Sequence, residues 1–111
     1  MPSPERDRIV DTAARLTRER IGPRAASIDA RAVNPVESWG DLGREGFLAA
    51  AIPKAYGGMG LDMPTYIAVI RTVARGCAST AMTLHMHSTV LRFIDSLGTE
   101  EQKRRYFRAP S

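Results

Sequence analysis

The chain has 111 residues, 43% hydrophobic and 25% charged, with a net charge of +4 and one cysteine. That composition bounds a single globular domain with a modest core. Cys77 alone can form no internal disulfide, so the fold does not rely on an oxidising compartment. No stretch approaches the roughly 20 apolar residues of a bilayer span. The opening MPSPERDRIV lacks the apolar run of a secretory signal, and the expectation is a soluble, cytoplasmic protein with no membrane span.

The positive charge is mostly arginine, at Arg6, Arg8, Arg15, Arg18, Arg20 and Arg24, then Lys103, Arg104, Arg105 and Arg108. Acids are interleaved with it: Glu5, Asp7, Asp11, Glu19, Glu100 and Glu101. Alternating signs describe solvated helix faces, and no nucleic-acid partner is expected. A DNA-binding helical bundle would instead bind DNA with a steep salt dependence.

The first helix opens with Ser3 as a cap, Pro4 in the first helical position and Glu5 at the positive end of the dipole. Ile9, Val10, Ala13, Leu16 and Thr17 follow at helical spacing. Gly22-Pro23 predicts a break or kink, because a residue before proline is pushed out of the α region. A shorter helix then resumes through Ala25, Ile28 and Ala32. In NPVESWGDLGREG, Asn34 caps, Pro35 starts and Glu37 reaches back as in a capping box, with Val36, Trp39 and Leu42 facing inward. Gly46 supplies a left-handed stop.

After FLAAAIP and a glycine-rich loop, Asp62 caps and Pro64 sits in the first turn of the next helix. Its inner face reads Tyr66, Ile67, Ile70, Val73, Ala74 and Cys77, and Gly76 ends it. STAMTLHMHSTVLRFIDSL is a longer helix closed by Gly98, and TEEQKRRYFR opens with a capping box from Thr99 to Gln102. Val, Ile and Thr never alternate over a strand length. The predicted fold is therefore all-α, about six helices in an orthogonal or up-down bundle with short connections.

The loop IPKAYGGMGLDMPTY raises the question of what Gly57, Gly58 and Gly60 do. A phosphate-binding loop needs a following Gly-Lys-Ser/Thr, and a dinucleotide fingerprint needs a preceding strand; both are missing. What remains is a crossover through φ > 0 conformations, or close approach of the backbone to something else.

GFLAAAIPKAYGGMGLDMPTY resembles the helix-loop-helix at the heart of the acyl-CoA dehydrogenase N-terminal domain. The matching positions are Gly46, Pro53, Tyr56, Gly57, Gly58 and Gly60. IGPRAASIDARAVNPVESWGDLGREG upstream resembles the family's entry helices, and SLGTEEQKRRYF resembles the short helix that closes its N-terminal domain. The resemblance spans essentially the whole chain, in the right order. It implies a three-domain flavoprotein in which FAD sits mainly between a central β domain and a C-terminal helical domain. There a glutamate removes the α-proton of an acyl-CoA while the β-hydrogen leaves as hydride to the flavin. The N-terminal domain walls part of the acyl-chain cavity, and the parent enzyme is expected to be a homo-oligomer. The central and C-terminal domains and the catalytic glutamate are absent from this sequence. No catalytic residue is therefore expected here, and FAD is not expected to be held by this chain alone.

On a wheel of residues 79–97, Met82, Met86, Val90, Phe93, Ile94 and Leu97 form one wide apolar face, extended by Leu84 and Leu91. His85, Ser88, Thr89, Arg92, Asp95 and Ser96 gather opposite, and Thr80, Thr83 and His87 are polar within the apolar sector. His85 and His87 point about 200° apart, so they cannot share a metal ion, and no metal is expected. The plain reading of His85 is a half-buried residue bonded to Thr89 or Ser88, and of His87 a satisfied core histidine. Met59, Met82 and Met86 read as packing.

The resemblance adds that Met82, His85 and Thr89 fall at cavity-lining positions, where a histidine could shorten the cavity or hydrogen-bond a polar acyl group. Its functional alternatives are a flavin-dependent monooxygenase of the same fold and a stand-alone helical interaction module without activity. A glutamate downstream at the base position would favour dehydrogenation; a purified chain that stays monomeric without affinity for flavin or acyl-CoA would favour the module.

Overall fold

The computed structural model describes residues 4–31 and 36–107. Six α-helices account for most of them: α1 (Pro4–Leu16), α2 (Gly22–Arg31), α3 (Val36–Arg44), α4 (Met63–Gly76), α5 (Ala78–Leu97) and α6 (Glu100–Phe107). No strand occurs among the described residues, so the fold is the expected all-α bundle. Its extents of 41 × 33 × 19 Å make it a slab. Its short dimension is about two helix diameters.

The Gly22-Pro23 break does not occur. A π-helical turn, Thr17–Ile21, joins α1 to α2 without interruption, and Gly22 keeps helical angles of φ −58° and ψ −46°. The wider turn gives the Gly22 N–H the Thr17 carbonyl as acceptor. Having no Cβ, Gly22 escapes much of the clash that drives other residues out of the α region before proline. The turn also crosses the end of α4 closely: a Cβ on Gly76 would stand 2.3 Å from Thr17 Cγ2. The Thr17 hydroxyl, buried there, donates to the Ala13 carbonyl at 2.7 Å.

The main core runs through Ala13, Leu16, Ile21, Leu42, Phe47, Val69, Val73 and Leu84. A smaller cluster of Ile52, Leu91 and Phe107 lies where α5, α6 and the glycine loop meet. Several caps form as expected. Asp62 Oδ1 accepts from Thr65 N at 2.9 Å. Thr99 and Gln102 exchange both capping-box bonds, at 2.9 and 3.2 Å. Gly46 takes φ +86° after α3. The Ser3 cap, Ala32 and the Asn34-Pro35 start lie outside the described residues.

Three inner faces differ from expectation. In α3, Val36 is 73% exposed, while Ser38 and Asp41 are buried beside Leu42. The cause is ionic. Asp41 Oδ2 receives Arg24 Nη1 at 2.6 Å, Arg44 Nη2 closes on Oδ1, and Arg20 stands 3.9 Å away. Arg24 also donates to Ser38 Oγ at 3.3 Å, so this knot fastens α2 to α3. Burial alone would raise the Asp41 pKa, but the hydrogen bonds and charges of Arg24 and Arg44 outweigh it and hold the carboxyl below its ordinary value. In α4, Ile67 and Ala74 face outward, and Thr65 and Val69 join Tyr66 and Val73 inside.

The third difference is in α5. The buried seam is Thr80, Ala81, Leu84, Ser88 and Leu91. Met82, Met86, Val90, Phe93 and Leu97 are instead between 58% and 80% exposed. Small side chains at 80, 81 and 88 let neighbouring helices approach closely, so the bulkiest apolar face is not the one buried. Met82 and Met86 are thus not packing within this chain, whereas Met59 does pack against the core.

Candidate functional site

The glycine loop is built by its own backbone. Pro53 leads into a short 3₁₀ turn, Lys54–Tyr56, closed by Gly57 at φ +85°. The chain then folds back on the segment before it: Met59 N–H donates to Ala49, Gly60 to Ile52 and Leu61 to Ala50, at 3.0, 2.9 and 3.0 Å. This close return is what Gly58 makes possible, since a Cβ there would lie 2.1 Å from the Ile52 carbonyl oxygen. The N–H groups of Tyr56, Gly57 and Gly58 are engaged as well, with Pro53 and Lys54 carbonyls. Six consecutive donors are thus turned inward, which does not fit a phosphate or pyrophosphate cradle. Tyr56 anchors the loop to α6. Its phenol donates to Glu100 Oε2 at 2.6 Å and its ring meets Phe107 edge-on at 5.2 Å. The Glu100 hydrogen bond, then burial, raise the Tyr56 pKa.

On α5 the two histidines diverge, as their spacing requires. His87 is the satisfied histidine expected of it: Nε2 lies 2.8 Å from the Leu48 carbonyl, and Trp39 packs edge-on at 5.1 Å. His85 is exposed, and its partner is neither Thr89 nor Ser88. Nδ1 sits 2.7 Å from the hydroxyl of Tyr66 on α4. The Thr89 hydroxyl is turned to the His85 carbonyl instead, at 2.8 Å. A phenol that donates to Nδ1 requires the Nε2–H tautomer of His85. Burial raises the Tyr66 pKa and outweighs both the Arg92 charge and the Ser88 hydroxyl, which lies near the phenol without meeting hydrogen-bond geometry, so the phenol stays a donor through neutral pH.

Met82, His85 and Thr89 lie on one side of α5, as i, i+3 and i+7 positions must. They border the exposed apolar strip of Met86, Val90, Phe93 and Leu97. Sequence reasoning missed the polar inner edge of this strip. Tyr66 lies across α5, with the Arg92 guanidinium 4.7 Å from its ring centroid. Ser88 Oγ and Arg92 Nε and Nη2 are buried with no hydrogen-bond partner. The i, i+4 spacing of Ser88 and Arg92 was visible, but the α4 residue that gathers them is 22 or more positions away. No group of three or more His, Cys, Asp or Glu residues that could hold a metal exists among the described residues, and none of their helices is long and apolar enough to cross a membrane.

Fold and site define a class: an all-α domain, pinned by a tight glycine crossover, whose longest helix turns a polar-edged apolar strip outward. The family model for the acyl-CoA dehydrogenase N-terminal domain matches residues 3–109. Benzylmalonyl-CoA dehydrogenase of Aromatoleum aromaticum is 33% identical over 94% of this chain and 28% of its own length. Short-chain specific acyl-CoA dehydrogenase of Clostridium acetobutylicum is 29% identical over 92% of this chain and 27% of its own. In three dimensions, 99% of the chain superposes on 29% of a chain from work on the electron transferring flavoprotein of Acidaminococcus fermentans, with TM-score 0.90 and 27% identity. The chain belongs to the acyl-CoA dehydrogenase family, as its N-terminal domain. It spans little more than a quarter of the length of these relatives.

Proposed function

We propose that the protein acts as the N-terminal domain of an FAD-dependent acyl-CoA dehydrogenase, in the α,β-dehydrogenation of acyl-CoA thioesters. In this reading α5 forms part of the acyl-chain cavity wall through Met82, His85 and Thr89. The observation that carries it is the apolar strip of α5, which none of the described residues covers. A long greasy face with a histidine on its rim suits a methylene chain better than solvent. FAD would be held by parts of the family fold beyond these residues, in keeping with a glycine loop whose donors are all engaged.

The test is an acyl-CoA series assayed with the full-length protein. His85→Ala should shift chain-length or branch preference several-fold while flavin content stays constant. Unchanged specificity across the series removes the site assignment. A second reading, a flavin-dependent monooxygenase, draws on the exposed His85 ring. It predicts oxygen consumption with reduced flavin and no acyl-CoA-dependent reduction of the flavin.

A further inference from the structure

The least explained feature of the molecule is the inner rim of the α5 strip. Nε and Nη2 of Arg92 are buried and meet no acceptor. They form one edge of the guanidinium: two N–H bonds side by side, the fork that matches both oxygens of a carboxylate. Ser88, fully buried one helical turn away, also lacks a partner at Oγ. Buried polar groups in folded proteins are nearly always satisfied, so three such atoms together mark a place where something is missing. All of them can donate, and what is missing is an acceptor. The guanidinium lies over the Tyr66 ring, and Nε and Nη2 hold no hydrogen bond that an incoming acceptor would have to break.

Other features of the molecule do not ask for a ligand in this way. The cleft between α1 and the glycine loop is lined by both signs of charge, Glu5, Arg6, Lys54 and Asp62, with Lys54 and Glu5 already paired at 3.6 Å. Arg24 and Arg44 have Asp41. Cys77 is buried and receives the Thr80 hydroxyl at 3.1 Å.

We infer that Arg92, with Ser88 and the Tyr66–His85 pair, receives a carboxylate at the far end of the acyl group, so that the preferred substrates are ω-carboxyacyl-CoA thioesters. The inference rests on the cavity reading above and makes it specific. The exposed apolar strip takes the methylenes, and residues 85 to 92 span about 10 Å along the helix at 1.5 Å per residue, comparable to a chain of several carbons. Charge and geometry then select the end group. A methyl end would leave the fork unpaired, whereas a carboxylate satisfies it. His85 is exposed at the same rim, and in the tautomer that accepts the Tyr66 hydroxyl at Nδ1 its Nε2–H is a further donor for that end group.

The test is calorimetric binding to the full-length protein of an ω-carboxyacyl-CoA and its methyl-ended analogue of equal length, with turnover measured alongside. The carboxylated ligand should bind at least about ten-fold more tightly. Arg92→Gln should abolish that preference while leaving the methyl-ended affinity within about three-fold, and Arg92→Lys, with charge but no fork, should retain part of it. Ser88→Ala should weaken the carboxylated ligand alone. Equal binding of the two ligands, or a preference that survives in Arg92→Gln, overturns the inference. Turnover of methyl-ended thioesters without a carboxylate preference leaves the dehydrogenase reading standing and removes this one. Carboxylate-selective binding without turnover removes the dehydrogenase reading and overturns the assignment of these thioesters as substrates. Binding of neither ligand removes both.

Discussion

At Gly58 one added carbon is decisive. Its Cβ would fall 2.1 Å from a backbone oxygen that cannot swing away. Gly58→Ala should therefore cost about 2–4 kcal/mol, by forcing apart the strand-like return that aligns the loop. Gly57→Ala meets nothing within 4 Å and carries only the strain of its φ of +85°, about 1–2 kcal/mol. Denaturant unfolding of the two variants checks the order; equal losses would mean that backbone conformation, not close approach, explains both. Asp41 sets a second residue-level expectation. Its folded-state pKa lies below its ordinary 3.8. The carboxylate therefore contributes stability in full above about pH 4–5, and that contribution is lost as the pH falls through the lowered value. Melting temperature should fall on acidification below about pH 4. Asp41→Asn should flatten that fall and lower stability at neutral pH by about 1–3 kcal/mol, the lower figure reflecting the exposure of Arg44.

Among the elements, α5 departs most from its sequence pattern. Counting hydrophobicity around a wheel favours the largest side chains, and these are the exposed ones here. The buried seam uses Thr80, Ala81 and Ser88, whose value is their small size. A helix so arranged leaves about five large apolar residues against water, a surface of the sort that drives association. The 111-residue chain on its own should self-associate at micromolar concentration. Val90→Lys with Phe93→Lys should make it monomeric by light scattering without loss of helical circular dichroism. Persistent association in that double variant would place the contact elsewhere. The caps of α4 and α6 were legible because both partners lie within one turn: Asp62 with Thr65, and Thr99 with Gln102. The inner faces of α3 and α4 were legible only in part. Asp41 is buried by an arginine 17 positions earlier, a pairing with no local signature.

For the whole molecule, fold class and helix order were readable because most helices are bounded by proline, glycine or a capping residue, and these act locally; the exception is the α1–α2 junction, where a π turn carries the helix through Gly22-Pro23. The glycine loop was readable as a crossover for the same reason. The candidate site was readable only as a list. Met82, His85 and Thr89 share a helix side by arithmetic, but Tyr66, which joins His85 to Arg92, arrives from another helix. The thin shape follows as well. A slab 19 Å through has little interior relative to its surface, so a helix such as α5 can face the core on one side and the outside on the other.

The π turn at Thr17–Ile21 holds one residue more than an α-helical turn would. It acts as a phase adjuster. Ala13 and Leu16 before it and Ile21 and Ile28 after it all reach the same core, although the step from 16 to 21 is wrong for an unbroken 3.6-residue period. Deleting one residue from this turn would restore regular α-helical winding yet rotate one half of the long helix by about 100° against the other. Either the leading pair or the trailing pair of apolar side chains would then swing into solvent, so the more regular helix would be the less stable protein.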